Sequence, residues 1–223
     1  MKIKTLITQL SLLLGVLVTV AVWFAVTKIS DLKDPADEIG DGGFLSREPC
    51  GPPCFLGIIP NVTKESEAVK ILQDNELYQD CSFVNNEPES GLRGFHCSSA
   101  LVSITFFRGT DLVGGVGFHL VQRLTVEMVI EKYGEPDAVS VASIWFNWEA
   151  QPETSMTLFY NDINATLSLG TQDGNVFNLE PSTPIISVGY SKPGFPSAEE
   201  DEAFRKYLSP WQGYGEHQDV SNQ

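Results

Sequence analysis

The stretch TVEMVIEKYGEPDAVSVASIWFNW, from Thr125 to Trp148, decides the fold. Its first half reads as a helix. Thr125 is a capping residue, and Val126, Val129, Ile130 and Tyr133 recur at the spacing of one helical face. Gly134 and Pro136 end that helix. Its second half reads as a strand from Ala138 to Trp148. There Val139, Val141, Ser143, Trp145 and Asn147 alternate with Ser140, Ala142, Ile144, Phe146 and Trp148. Both sets are partly apolar towards the end, which predicts cover on both faces there.

Beyond Trp148, Ser155 to Tyr160 and Ile163 to Leu169 form an expected hairpin over Asn161-Asp162. Val176 to Leu179 and Ile185 to Tyr190 complete a sheet. Towards the N-terminus, Leu101 to Phe107 (LVSITFF) is apolar and β-branched. A turn at Arg108 to Asp111 follows, and Leu112 to Leu120 returns with glycines at 114, 115 and 117. A first helix is expected over Lys64 to Gln73, with Asn61 or Thr63 as cap and Ala68, Val69 and Leu72 on its apolar stripe. The order helix, strands, helix, strands predicts an α+β fold. Its expected form is a duplication, residues 57–120 and 121–190, each unit a helix packed on an antiparallel sheet.

The front of the chain bounds where it acts. Leu6 to Val26 is a run of 21 residues without a charge. A membrane-spanning helix needs about 20 such residues. Lys2 and Lys4 precede the run, and positive charge on a short flank keeps that flank in the cytoplasm. A cleaved signal peptide has a shorter apolar core, about 7–15 residues. The expectation is a single-pass anchor in the cell membrane over residues 1–28, N-terminus cytoplasmic, with the rest extracytoplasmic. Residues 29–49 read as an acidic linker, 50–190 as the α+β ectodomain, and 191–223 as a flexible acidic tail holding a short helix around Phe204, Tyr207 and Leu208.

All 29 acidic residues and 11 of the 14 basic ones follow Ser30, which leaves that part at −18. Such a surface repels nucleic acid and anionic lipid. The four cysteines, Cys50, Cys54, Cys81 and Cys97, all lie there too, and outside the cytoplasm they read as two disulfides. Three pairings are open; short spacing favours 50–54 with 81–97. CGPPC has three residues between its cysteines rather than two and lacks a βαβ setting, so it reads as structural rather than redox-active.

PPCFLGIIPNVTKESEAVKIL, from Pro52 to Leu72, resembles a motif of exported, largely uncharacterised bacterial proteins, approximately Pro-Cys-Trp-x-Gly-Ile-x-Pro-Gly-x-Thr. Pro53, Cys54, Gly57, Ile58, Pro60 and Thr63 match; Phe55 and Asn61 replace the tryptophan and the second glycine. Asn tolerates the left-handed conformation that Gly supplies. The passage from Thr125 to Asp137 is similar to the helix-to-strand junction of small α+β domains of the SmpA/OmlA and β-lactamase-inhibitor-protein type. That resemblance implies protein binding without catalytic residues.

Chemistry is sparse. His96, His119 and His217 have no metal-ligand spacing, no serine sits in G-x-S-x-G, and no phosphate-binding glycine loop occurs. No metal, cofactor or catalytic residue is expected. The reading is a non-catalytic binding or scaffold module that contacts an envelope protein. Its candidate contact residues are Trp145, Trp148, Trp211 and Tyr214. The alternative is an envelope small-molecule or polymer sensor whose aromatic sheet face (Trp145 or Trp148, with Phe159) holds a ligand.

Overall fold

The chain divides into two compact units, Met1–Glu38 and Ile39–Gln223. A computed structural model describes residues 40–84, 92–98, 101–107, 109–120, 124–144, 152–192 and 207–219, all in the second unit. The elements run α1 (Glu65–Gln73), a 3-10 turn (Glu76–Tyr78), β1 (Ser82–Val84), β2 (Leu92–Cys97), β3 (Val102–Phe107) and β4 (Val113–His119). They continue with α2 (Val126–Tyr133), β5 (Ala138–Ile144), β6 (Glu153–Tyr160), β7 (Ala165–Asp173), β8 (Val176–Leu179), β9 (Ile185–Ser191), β10 (Leu208–Ser209) and β11 (Gly215–Gln218).

Nine strands form one antiparallel sheet in the order β1-β2-β3-β4-β9-β7-β6-β5-β10. β8 and β11 form a separate two-stranded ribbon. This corrects the expectation of an α+β duplication. The described residues are mostly strand, with two short helices, and they do not divide into helix-plus-sheet units. The sheet is continuous where the units would have met, because β9 pairs with β4 on one side and β7 on the other.

Cross-strand register explains the core. Phe95, Ile104, Val116, Tyr190, Ala165 and Tyr160 lie in one row across β2, β3, β4, β9, β7 and β6, and all are buried. The next row holds Val102, Phe118, Val188, Leu167, Leu158 and Val139. Successive residues of a strand point to opposite faces, so these rows make one side of the sheet apolar. Ala68 and Leu72 of α1, Val126 and Val129 of α2, and Phe177 and Leu179 of β8 join the same core.

Both helices are seated by backbone hydrogen bonds at their first turns. Glu65 N–H donates to Asp111 O at 2.7 Å, tying α1 to the β3–β4 connection. Val126 N–H and Glu127 N–H donate to Thr183 O and Pro181 O, tying α2 to the β8–β9 connection. Thr125 caps α2, its side chain accepting from Met128 N–H, and Gly134 closes it at φ +83°. The α1 cap differs from expectation. Lys64 occupies the position without a side-chain bond, while the Thr63 hydroxyl accepts from Ile59 N–H at 2.9 Å and closes the preceding loop. Asn61 is left-handed, φ +61°, a conformation Asn tolerates better than most residues.

The domain starts before residue 50. Asp41 is buried, and its carboxylate accepts from the N–H groups of Gly43, Leu45 and Ser46 and from the Ser46 hydroxyl. That loop delivers Phe44 into the core beside Tyr133. Residues 40–49 therefore belong to the domain rather than to a linker. Phe55 follows, stacked on Phe118 at 4.4 Å. The tail also returns: Leu208 lies in β10 against β5, not in a helix, and β11 pairs with β8, so 207–219 is not a flexible extension. Among the described residues no helix is long and apolar enough to cross a membrane, and Leu6 to Val26 lies outside them.

Candidate functional site

The candidate site is the sheet face opposite the core. One of its rows reads Ser82, His96, Ser103, Gly117, Gly189, Thr166 and Phe159 across β1, β2, β3, β4, β9, β7 and β6. A second reads His119, Ser187, Ser168, Thr157 and Ser140 across β4, β9, β7, β6 and β5. A third reads Val84, Gly94, Thr105, Gly115 and Ser191. Antiparallel sheets commonly carry a polar face opposite an apolar one. This one is built from short hydroxyl side chains and glycines, which leaves its floor low.

The glycines are there because neighbours lean over them. A Cβ on Gly189 would sit 2.6 Å from Thr166 Oγ1, and one on Gly117 would sit 3.0 Å from Ser103 Oγ. The Phe107 ring lies over Gly114, where a Cβ would come within 2.5 Å of it. Two hollows result. One, about 340 Å³, is lined among others by Ser103, Thr105, Phe107, Thr166, Ser191 and Lys192. The other, about 370 Å³, is lined by His96, Ser98, Leu101, Ser103, His119 and Ser187, with Gly117 in its floor. They share Ser103 and Gly117 and so form one trough.

Apolar groups rim the trough. Eight large hydrophobic side chains are exposed among the described residues, and Val84, Leu101 and Phe107 are on this face. The Lys192 ammonium stands 5.8 Å from the Phe107 ring centroid. Among the described residues, β1 to β4 and β9 carry no carboxylate on either face. Across β6 and β7 carboxylates reappear at Glu153 and Asp173, paired at the far end of the strands. Other described carboxylates stand on α1 (Glu65, Glu67), in the 3-10 turn (Glu76), on α2 (Glu127, Glu131), on β11 (Glu216) and in the connections.

The expected residues fall in several places. Cys50 pairs with Cys54 and Cys81 with Cys97, the short-range combination. Trp145 and Trp148 lie outside the described residues. Phe159 is buried, so it offers no exposed ring to a ligand on the sheet face. Trp211 and Tyr214 do come together, ring centroids 6.0 Å apart and edge-on. Trp211 packs on the core and stacks on His217, whose Nε2 lies 2.9 Å from Gly213 O. Tyr214 is exposed. Burial raises its phenol above the ordinary range, and the carboxylates of Glu127 and Glu131 add to the shift. This pair sits beside α2, on the opposite side of the sheet from the trough.

His96, Ser103, Leu101, Phe107 and His119 are the residues that sequence reasoning passed over as site members. Each is ordinary in a strand, and only cross-strand register assembles them. Among the described residues, no group of three or more His, Cys, Asp or Glu side chains converges as metal ligands would. No family model, curated protein or solved structure matches this chain.

Proposed function

We propose that the chain is a membrane-anchored, extracytoplasmic, non-catalytic module that docks an envelope protein on the open face of its sheet. The observation that carries this reading is the trough itself. It is a low hydroxyl-and-glycine floor, rimmed by exposed Leu101 and Phe107, on a sheet whose other face is committed to the core. Apolar anchors around a floor that a backbone can approach closely make a surface for another chain. The uncharged run from Leu6 to Val26 supports tethering, and the two disulfides support an oxidising compartment.

The test is co-purification after cross-linking of intact cells, comparing a tagged native chain with Ser103→Arg. Arginine at the point shared by both hollows fills them. The expected result is one stoichiometric partner with the native chain and its loss with the variant, while both proteins accumulate equally. Retention of the partner by Ser103→Arg moves the docking surface elsewhere.

A further inference from the structure

The two disulfides hold segments of different kinds. Cys50–Cys54 closes a loop that the core already fixes, because the neighbouring Phe55 and Ile58 are buried. Cys81–Cys97 fastens β1 to β2 at the edge of the sheet. Its cysteines face each other, one step beyond the pair Ser82 and His96 in the antiparallel register. β1 is three residues long and all three are exposed. Among the described residues it pairs only with β2. Phe83 leans on Phe95 at 4.8 Å and under the Arg93 guanidinium at 5.1 Å, yet stays 46% exposed. A short strand with few buried contacts opens locally rather than with the whole domain. Cys97 is buried and lines the hollow of about 370 Å³, while Cys81 is half-buried and is the sulfur open to attack.

We infer that Cys81–Cys97 is a redox latch on the edge of the sheet. Oxidised, it holds β1 against β2 and closes the β2 edge. Reduced, it lets β1 leave, and β2 becomes the edge strand, with unpaired N–H and C=O groups beside the trough. The opening step needs a dithiol reductant of the CxxC class. One of its thiolates attacks Cys81 Sγ, the S–S bond breaks, and Cys97 leaves as a thiolate that takes up a proton. The second thiol of the reductant then displaces Cys81, which leaves as a thiol. The reductant carries away the disulfide and gives up two electrons. Opening frees a loop closed over a separation of 16 residues, and loop-closure entropy of that size shifts the balance towards the released strand about 100-fold. Cys50–Cys54 lacks this consequence, because its loop stays seated through Phe55 and Ile58. The latch does not rest on the docking reading, since it concerns only how β1 is held.

The experiment is hydrogen exchange on the full chain in detergent, read peptide by peptide in the mass spectrometer, before and after dithiothreitol. Alkylation of the freed thiols counts which disulfide has opened. The paired change Cys81→Ala with Cys97→Ala gives the open state without a reductant and keeps Cys50–Cys54. The expected result is exchange about 100-fold faster over residues 82–84 once Cys81–Cys97 is open, with faster exchange also in β2 and unchanged exchange in β6 and β7. Unchanged exchange over 82–84 overturns the inference, because the strand then holds without its latch. Equal acceleration in β6 and β7 overturns it too, because the disulfide then supports the whole domain rather than one edge. The dithiothreitol arm uses the unaltered chain, so it does not depend on the variant folding. No partner enters the assay, so its failure leaves the docking reading standing, and failure of the docking reading leaves the latch standing.

Discussion

Asp41 shows how one residue can hold a segment. Burial raises its carboxyl, but the bonds from Ser46, Leu45 and Gly43 outweigh that and leave it below the ordinary carboxylate value. A group whose folded value is depressed stabilises above its unfolded value, about pH 4, and that contribution is lost as pH falls through the lower folded value. Asp41→Ala removes a charged acceptor from three backbone donors and should cost about 2–3 kcal/mol at neutral pH by denaturant titration. Its deficit against the native chain should shrink below about pH 4. Tyr190 makes the opposite case. Its hydroxyl is buried without a hydrogen-bond partner among the described residues, and burial pushes its phenol far up. Tyr190→Phe should leave stability unchanged or raise it by about 1 kcal/mol, read as Tm. At this scale the sequence was a poor guide. Asp41 reads as one more acid in a polar stretch, because nothing in a composition records which amides will converge on it.

Elements were legible where they carry their own punctuation. α2 lies where Thr125, the Val126–Val129 stripe and Gly134 place it. Thr125→Ala should destabilise by about 1 kcal/mol through the lost cap, measured as a shift in denaturation midpoint. β3, β4 and the β6–β7 hairpin follow their alternation. β2 was missed because LRGFHC sets Arg93 beside Gly94 and His96 beside Cys97, which hides the inward pair Phe95 and Cys97. β11, GEHQ, has no apolar alternation at all, and it exists because β8 offers it an edge. The disulfides act on connections between elements. Cys81–Cys97 closes a loop with a separation of 16 residues and Cys50–Cys54 one of 4. Loop-closure entropy then assigns about 3 kcal/mol to the first and about 2 kcal/mol to the second, so paired Cys→Ala changes at 81 and 97 should be the more damaging. Thermal unfolding of the two double variants checks the ranking.

At the scale of the whole molecule, the sequence hid the strand order. Period-two patterns say that a segment is a strand and which of its residues share a face; they do not say that β9 will insert between β4 and β7. The expected pair of units failed for that reason. Of the expected contact residues, Trp211 packs on the core and Tyr214 is exposed beside α2. The trough is made from serines, threonines, glycines and two histidines scattered between 96 and 192, which register brings side by side.

The open face of the sheet is proposed to meet another protein. A photo-activatable amino acid placed in intact cells at Leu101, at Phe107 and, on the other side of the molecule, at Met128 tests it most directly, because all three side chains are exposed. The same single adduct is expected from 101 and 107, and none from 128. An adduct from 128 with silence at 101 and 107 would contradict it.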